Sequence, residues 1–217
     1  MNVVVIGSGG REHALAYKIS ESSNLTSLYT IPGNPGTASL GKNVRIDISN
    51  HGEIVKFCKD KKIDLVVIGP EQPLVEGLGD ILRENGVTVF GPDAEAAELE
   101  AHKSFAKKIM KSAGVPTANY IEFSSRMYEA ARAYISKKKY PCVLKADGLA
   151  AGKGVVICNS ESEAIQTLRS FFVDKIFGKS GEKLLIEEML FGEELSVFAI
   201  TDGNNFVCLP ASQEVGS

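Results

Sequence analysis

The sequence lacks the features that mark membrane, secreted and nucleic-acid-binding proteins. No apolar stretch among its 217 residues approaches the length needed to span a bilayer. The apolar segment at residues 2–6 has no basic start and no small-residue cleavage site, so we interpret it as a strand rather than a signal peptide. A formal net charge of −3 gives no long-range attraction for nucleic acid. We therefore expect a cytoplasmic protein whose partners include neither nucleic acid nor a membrane.

Cysteine is also scarce, and its spacing excludes the common cysteine-based sites. The four cysteines form no C-x-x-C pair, which argues against a zinc or redox motif. Cys142 and Cys158 lie in apolar, strand-like runs, so we expect buried, reduced thiols. The composition, 44% hydrophobic and 24% charged, is that of an ordinary globular protein and gives no sign of disorder.

Two patterns of hydrophobic segments follow each other along the chain. Up to about residue 100, short β-branched runs alternate with helical segments, which predicts an α/β domain with a parallel sheet and right-handed crossovers. Functional loops should gather at the carboxyl ends of its strands. Beyond residue 120 the units are shorter, and Asp202-Gly203 is typical of a hairpin turn, which predicts an antiparallel-rich α+β module. We place the boundary between residues 100 and 120.

Three local predictions are specific enough to be compared directly with a structure. The pattern predicts one helix over Val75–Asn85, and a strand over Glu194–Ile200. Residues 32–36 (PGNPG) indicate a loop rather than the start of a helix.

A glycine-rich turn, residues 7–12 (GSGGRE), follows the first predicted strand. A dinucleotide-binding fingerprint needs a third glycine where Glu12 stands and an acidic residue after the second strand, where residues 31–34 (IPGN) stand. Both requirements fail, which argues against a nicotinamide-dependent oxidoreductase. What remains is a helix N-terminus whose backbone amides face a small anion, with Arg11 close by. The alternative is a tight turn that needs glycine only for its dihedral angles.

A second glycine-rich segment, residues 145–155 (KADGLAAGKGV), joins two predicted strands. Small residues let backbone amides approach phosphate oxygens, and Lys145 and Lys153 supply positive charge. It is not a Walker A loop, because Asp147 stands where the first glycine belongs and Gly154 replaces the required serine or threonine. A glycine loop between two strands is typical of a mobile phosphate flap. The alternative is an ordinary glycine hairpin with a solvated lysine.

A third segment, residues 184–194 (LLIEEMLFGEE), is an apolar strand followed by a short linker between paired acids. An exposed linker can offer a carbonyl and an amide to the edge of an adenine ring, and Glu194 could take the ribose hydroxyls. Acidic residues after a strand are usually a solvated rim, so the motif gains its weight from its position after the glycine loop.

In this order, Lys103, the glycine loop and the acidic linker resemble the ATP-grasp superfamily. A closer resemblance, to the phosphoribosylamine–glycine ligase family, runs to about residue 213 and rests on five motifs: residues 5–14, 32–38, 68–74, 90–92 and 145–155. It implies four parts of the chain: a Rossmann-like substrate-binding domain (1–100), a linking helical region (101–120), an ATP-grasp lid with the phosphate loop (121–188), and the start of the second ATP-grasp subdomain (189–217).

The resemblance also implies roles for individual residues. The ATP phosphates would contact Lys103, Lys145, Gly148, Gly152, Lys153 and Gly154. The adenosine would be held by the linker residues Glu187, Glu188, Leu190 and Glu194, with backbone groups of Glu187 and Leu190 on the adenine and Glu194 on the ribose. The phosphoribosylamine would lie near Gly9, Gly10, Arg11 and Glu71. No catalytic residue is assigned, and we interpret His13 and His102 as histidines with structural partners rather than as general bases.

By resemblance, the complete enzyme ligates glycine to 5-phosphoribosylamine through glycyl phosphate, with ATP and Mg²⁺ (or Mn²⁺) as cofactors, and is monomeric. The family protein is about twice as long as this chain, and its metal-holding acids belong to the other half. Residues 214–217 (EVGS) do not resemble the family's continuation. Two alternatives remain: another ATP-grasp carboxylate–amine ligase, or a truncated, non-catalytic nucleotide-binding fragment.

Overall fold

The computed structural model describes residues 1–150 and 152–213. Ala151 of the expected flap and residues 214–217, with which the expected second ATP-grasp subdomain ends, lie outside the described residues. Among the described residues, no helix is long and apolar enough to cross a membrane.

The first hundred residues form a five-stranded parallel sheet in the order β3-β2-β1-β4-β5. The central strand β1 is buried along residues 3–7, as expected for β-branched residues covered on both faces. Its strands are β1 Asn2–Gly7, β2 Ser27–Pro32, β3 Lys42–Asn43, β4 Leu65–Ile68 and β5 Val89–Phe90. Its helices are α1 Gly10–Ser20, α2 Pro35–Ala38, α3 His51–Asp60, α4 Glu71–Val75, α5 Leu78–Glu84 and α6 Ala94–Ala101. The predicted parallel α/β architecture is confirmed.

A four-stranded antiparallel sheet, in the order β6-β9-β7-β8, follows helix α7 (Lys103–Ser112). Its strands are β6 Tyr120–Ser124, β7 Cys142–Ala146, β8 Val155–Cys158 and β9 Lys183–Glu188. Helices α8 (Tyr128–Ile135) and α9 (Glu161–Phe172) pack on the sheet and enclose a separate apolar core. A hairpin of β10 (Ala199–Thr201) and β11 (Phe206–Cys208) completes the described elements. The predicted antiparallel-rich α+β module is confirmed.

The structure corrects the three local predictions. The helix predicted over residues 75–85 is two helices, α4 and α5, because Gly77 adopts a left-handed backbone (φ +82°) between them. Residues 35–38 form a short helix rather than a loop, since the Asn34 side chain caps its N-terminus and Pro35 has the φ angle that a first turn needs. The strand predicted over 194–200 is only β10, preceded by one isolated bridge at Ser196.

Candidate active site

Strands β7 and β9 bring Lys145 and Glu187 together. In the antiparallel pairing, Lys145 faces Leu185 and Glu187 faces Val143. Residues two apart on a strand share a face, so Lys145 and Glu187 are diagonal neighbours on one side of the sheet. The Lys145 ammonium lies 2.9 Å from Glu187 Oε2, and the Glu187 side chain is only 3% exposed. The sheet register therefore fixes this lysine beside a buried carboxylate.

A second lysine, Lys107 on helix α7, reaches the same carboxylate. Its ammonium lies 3.2 Å from Glu187 Oε1, an oxygen that has no aligned hydrogen-bond donor among the described residues. Lys107 also donates to Thr117 Oγ1 (2.7 Å) and to the Ala118 carbonyl (3.3 Å), and it lies 5.4 Å from the centre of the Tyr120 ring. A buried lysine needs such partners, because burial of an unpaired charge is costly.

Sequence analysis missed Lys107, although a signal was present. Lys107 follows Lys103 by four residues on a helix, so the two side chains share one helical face. A lysine on a helix that also carries Lys103, Lys108 and Lys111 would usually be a solvated residue. In the structure Lys107 is buried because Glu187, Thr117 and the Ala118 carbonyl lie around its ammonium.

Asp147, the residue after β7, caps helix α7 from a distance. Its Oδ1 accepts from the Ser104 backbone amide (2.6 Å), Oδ2 accepts from the Ser104 hydroxyl (3.1 Å), and its carbonyl accepts from the Lys103 amide (3.1 Å). His102 Nδ1 lies 3.3 Å from the same carboxylate. Asp147 satisfies amides that the first turn of a helix leaves free, and it ties the base of the glycine loop to the helix that carries Lys103.

Lys103 is half-buried at this junction, and its ammonium donates to the Gly148 carbonyl (3.4 Å). Burial lowers the pKa of Lys103 below its ordinary value, and repulsion from Lys145 adds to the effect. Attraction to Asp147 and Glu187 acts in the opposite direction. Lys103 is thus a lysine whose charge is disfavoured by its surroundings and only partly supported by neighbouring carboxylates.

The glycine loop between β7 and β8 is shaped by close approach of its backbone. Gly152 has φ +76°, a left-handed conformation that favours glycine. Gly154 is buried, and a methyl group there would lie 2.7 Å from the Ala150 side chain. A methyl group at Gly148 would lie 2.8 Å from Ser180. Lys153, in contrast, is exposed, so its side chain is free to move toward a ligand.

The N-terminal glycine turn is arranged differently from a dinucleotide site. Glu12 is buried, and its Oε2 accepts a hydrogen bond from the Gly9 amide (2.6 Å). The Glu12 side chain fills the space that the absent side chains of Gly7 and Gly69 leave open. The Gly9 amide is thus engaged by the protein, whereas Gly10 is exposed with open space where a side chain would stand. His13 packs against Gly36.

Arg11 and Glu71, placed on one substrate by resemblance, contact each other. Arg11 Nη1 lies 2.8 Å from Glu71 Oε1 across the ends of helices α1 and α4. Their hydrogen bond holds the pKa of Glu71 below its ordinary value and raises that of Arg11. The Arg11 side chain is 69% exposed, so a ligand anion can reach it.

One cavity of about 560 Å³ joins the two glycine loops. Its lining includes Arg11 and Glu71 from the parallel-sheet module and Lys103, Gly152 and Gly154 from the second module. This cavity therefore lies between the carboxyl ends of strands β1 and β4 and the glycine loop that joins β7 to β8. A volume of this size is in the range that holds a small-molecule ligand.

The acidic linker lies apart from this cavity. Glu188 projects from the opposite face of β9 to Glu187, and its Oε1 accepts from the backbone amide (2.8 Å) and side-chain amide (2.9 Å) of Asn119. Leu190 is 62% exposed and Glu194 is also exposed. The structure does not bring these linker residues together with the lysines, except for Glu187.

In the described part of the chain, no three histidine, cysteine, aspartate or glutamate side chains form a group that could hold a metal ion. Glu188, the acid nearest the lysine cluster along β9, is already engaged by Asn119. The described residues thus present no preformed magnesium site of this kind.

Comparison with known proteins gives consistent matches along the chain. The family model for the phosphoribosylglycinamide synthetase N domain matches residues 1–100, and the model for the ATP-grasp (A) domain of the same enzyme matches residues 101–216. The phosphoribosylamine–glycine ligase of Rhizobium meliloti is 47% identical over 214 residues, which cover 99% of this chain and 50% of the relative. The human trifunctional purine biosynthetic protein adenosine-3 is 46% identical over 215 residues, covering 98% of this chain and 21% of that protein.

Among solved structures, phosphoribosylamine–glycine ligase from Thermotoga maritima superposes with a TM-score of 0.80 at 34% identity. The match covers 97% of this chain and 49% of that structure. The chain spans about half the length of the single-function ligases that it matches. With both of its modules matched by models of one enzyme, the chain belongs to the phosphoribosylglycinamide synthetase family.

Proposed function

We propose that this chain forms the part of a phosphoribosylamine–glycine ligase that binds ATP and phosphoribosylamine. The observation that carries the proposal is the common cavity, in which the Arg11–Glu71 pair faces Lys103 and the glycine loop. A cavity with a cation at each end suits two phosphate-bearing ligands that must meet. Family membership and relatives that bear this name support the assignment.

In the proposed reaction, a carboxylate oxygen of glycine attacks the γ-phosphorus of ATP, and ADP leaves with the bonding electron pair. The amine of 5-phosphoribosylamine then attacks the acyl carbon of glycyl phosphate, and phosphate leaves as glycinamide ribonucleotide forms. Lys103 and Lys145 would neutralise charge on the transferred phosphoryl group. Closure of the 148–154 loop would exclude the water that hydrolyses an acyl phosphate.

The remaining expectations belong to the same proposal. Glu187, Glu188, Leu190 and Glu194 would hold adenosine, Gly9, Gly10, Arg11 and Glu71 would hold phosphoribosylamine, and Lys153 would contact phosphate on closure. The division at residues 100, 120 and 188, a monomeric state, a cytoplasmic location and the use of Mg²⁺ are likewise proposed.

The test is ADP release from this chain alone and from the chain joined to the C-terminal half of the Rhizobium meliloti ligase. Glycine and freshly generated phosphoribosylamine are added separately and together. We expect turnover only in the joined protein and only with both substrates. Turnover with a different acid or amine would instead support another ATP-grasp ligase, and ATP binding without any turnover would support a non-catalytic nucleotide-binding module.

A matched pair of lysine variants sharpens this test. Lys145→Met should lower turnover of the joined protein at least about a hundredfold, the scale for loss of one preorganised charge contact in a transition state. Lys183→Met is the control, because Lys183 lies on the adjacent strand β9 and pairs with Glu122 (3.4 Å) rather than with Glu187. Equal activity of the two variants would remove Lys145 from the phosphate site.

A further inference from the structure

We propose that Lys107 is a positioning residue of the phosphate site and acts through Glu187 on Lys145. The inference rests on the proposed function, because it assumes that Lys145 faces the phosphates of a nucleotide. Lys145 and Lys107 both lie outside the lining of the cavity formed by the described residues, but the side chain of Lys145 is 27% exposed, whereas that of Lys107 is only 9% exposed. Its effect on a ligand must therefore pass through the carboxylate that it shares with Lys145.

The position of Lys107 is set by groups that take no part in the site. Thr117 and the Ala118 carbonyl accept from its ammonium, and the Tyr120 ring lies beside it. These three residues belong to the segment that leads from α7 into β6. The ammonium is thus held in place whether or not a ligand is bound.

The charge balance of the cluster explains how Lys107 affects the binding of a phosphate. Lys145 and Glu187 alone would form a neutral pair, and a carboxylate 2.9 Å from the ammonium would cancel most of its attraction for phosphate. Lys107 occupies the other oxygen of Glu187 at 3.2 Å. Two lysines and one glutamate carry a net charge of +1, so the cluster keeps one positive charge for the ligand. Low exposure strengthens each of these interactions.

The arrangement of the two ammonium groups around Glu187 supports the same role for Lys107. Glu187 uses Oε2 for Lys145 and Oε1 for Lys107, so the two ammonium groups hold the carboxylate from both sides. A carboxylate held by a single lysine would be free to rotate, and the position of that lysine would then vary. With Lys107 in place, Lys145 is presented at one fixed position at the end of β7.

The experiment compares two fluorescent probes, trinitrophenyl-ATP and trinitrophenyl-adenosine, on the 217-residue chain and on Lys107→Met. Methionine keeps about the length of the apolar stem of lysine and removes the ammonium group with its charge and donors. We expect about tenfold weaker binding of the ATP probe, the scale of one partly screened charge. Binding of the adenosine probe should change less than about twofold, since it carries no phosphate. Equal losses for both probes, or no loss for either, would overturn the proposal.

Two further variants keep the outcome clear. Lys108→Met, the exposed neighbour on α7, should bind both probes as the unchanged chain does. Thr117→Val removes the 2.7 Å anchor but keeps the lysine charge, and we expect about threefold weaker binding of the ATP probe. If thermal melting shows that Lys107→Met does not fold, Thr117→Val decides, and its unchanged ATP-probe affinity would refute the role.

The same probes separate this inference from the proposed function. An unchanged chain that binds the ATP probe no more tightly than the adenosine probe would contradict a phosphate site altogether. A preference for the ATP probe that is undiminished in Lys107→Met would leave the phosphate site in place and remove only the role of Lys107.

Discussion

The two modules each present a cation paired with a carboxylate, but in opposite surroundings. In the Arg11–Glu71 pair the side chains are 69% and 35% exposed, whereas in Lys145–Glu187 they are 27% and 3% exposed. An exposed pair contributes little to stability and exchanges easily with a ligand anion. A buried pair is costly to break, because one partner is left charged in a poorly solvated place. The first pair can therefore open when an anion approaches Arg11, whereas the second holds Lys145 in place.

The largest effect on the comparison of the two pairs is expected from Glu187→Gln, which removes the carboxylate of the buried pair. It leaves Lys107 and Lys145 without their shared carboxylate, and we expect the free energy of unfolding to fall by about 3–5 kcal/mol. Urea denaturation of the chain measures the change. Glu188→Gln is the matched control on the opposite face of β9, where the amide oxygen can still accept from Asn119. A loss no larger than in this control would show that the buried cluster contributes nothing to folding.

A smaller loss is expected when the contact between the glycine loop and helix α7 is removed by Asp147→Ala. This variant removes the buried cap of helix α7, and we expect a loss of about 2 kcal/mol in denaturant unfolding. Asp93→Ala provides the comparison, since Asp93 caps α6 through the Ala96 amide (2.7 Å) at an exposed position. We expect about 1 kcal/mol there. The interpretation fails if the exposed cap proves the more important of the two.

The environment of Lys103 should be visible in the reactivity of its amine rather than in the stability of the protein. Its pKa is lowered chiefly by burial, so a larger fraction of its amine is unprotonated at any pH below the ordinary value of 10.5. Acetylation by acetic anhydride, followed by mass spectrometry across pH 7–10, should therefore reach half-maximal rate at lower pH for Lys103 than for Lys18. Lys18 is exposed, and its pKa is raised by a hydrogen bond to Glu21. Identical pH profiles for the two lysines would contradict the buried environment of Lys103.

The smallest effect on stability is expected at the exposed pair. Glu71→Gln should change the free energy of unfolding by less than about 1 kcal/mol at neutral pH. Because Arg11 holds the folded-state pKa of Glu71 below 4.5, the contribution of the pair is present above that pH and is lost as pH falls through the folded-state pKa. Denaturant titrations between pH 7 and 3 measure this small difference. A loss comparable to that of Glu187→Gln would erase the distinction between the pairs.

The residues that carry the lid module could be predicted from sequence because local signals agree there. Lys145 stands at the end of an apolar run, and small residues follow it before another strand begins. Strands β7 and β8 flank the glycine loop, as the pattern predicted. Helices α4 and α5 were merged in the prediction because Gly77 interrupts only the backbone and leaves the apolar periodicity nearly intact.

The contacts within the candidate site could be predicted less well from the sequence than the helices and strands. Arg11 and Glu71 are 60 residues apart, and nothing local indicates that they pair in the absence of a ligand. The resemblance gave Glu187 a backbone role, whereas in the structure its side chain binds two lysines. A sequence pattern predicts the face of a helix or strand on which a side chain lies. It does not predict which side chain of another element contacts it.

By itself, the sequence determined the parallel and antiparallel modules, the two glycine loops and the family, because hydrophobic periodicity and glycine placement act over a few residues. Only the tertiary structure decided which charges meet. The register of β7 on β9 places Lys145 beside Glu187, and the docking of α7 on Asp147 brings Lys103 to the flap and Lys107 to the same carboxylate. Those contacts depend on the three-dimensional placement of separate elements, and ion pairs form only where that placement brings opposite charges within a few ångströms.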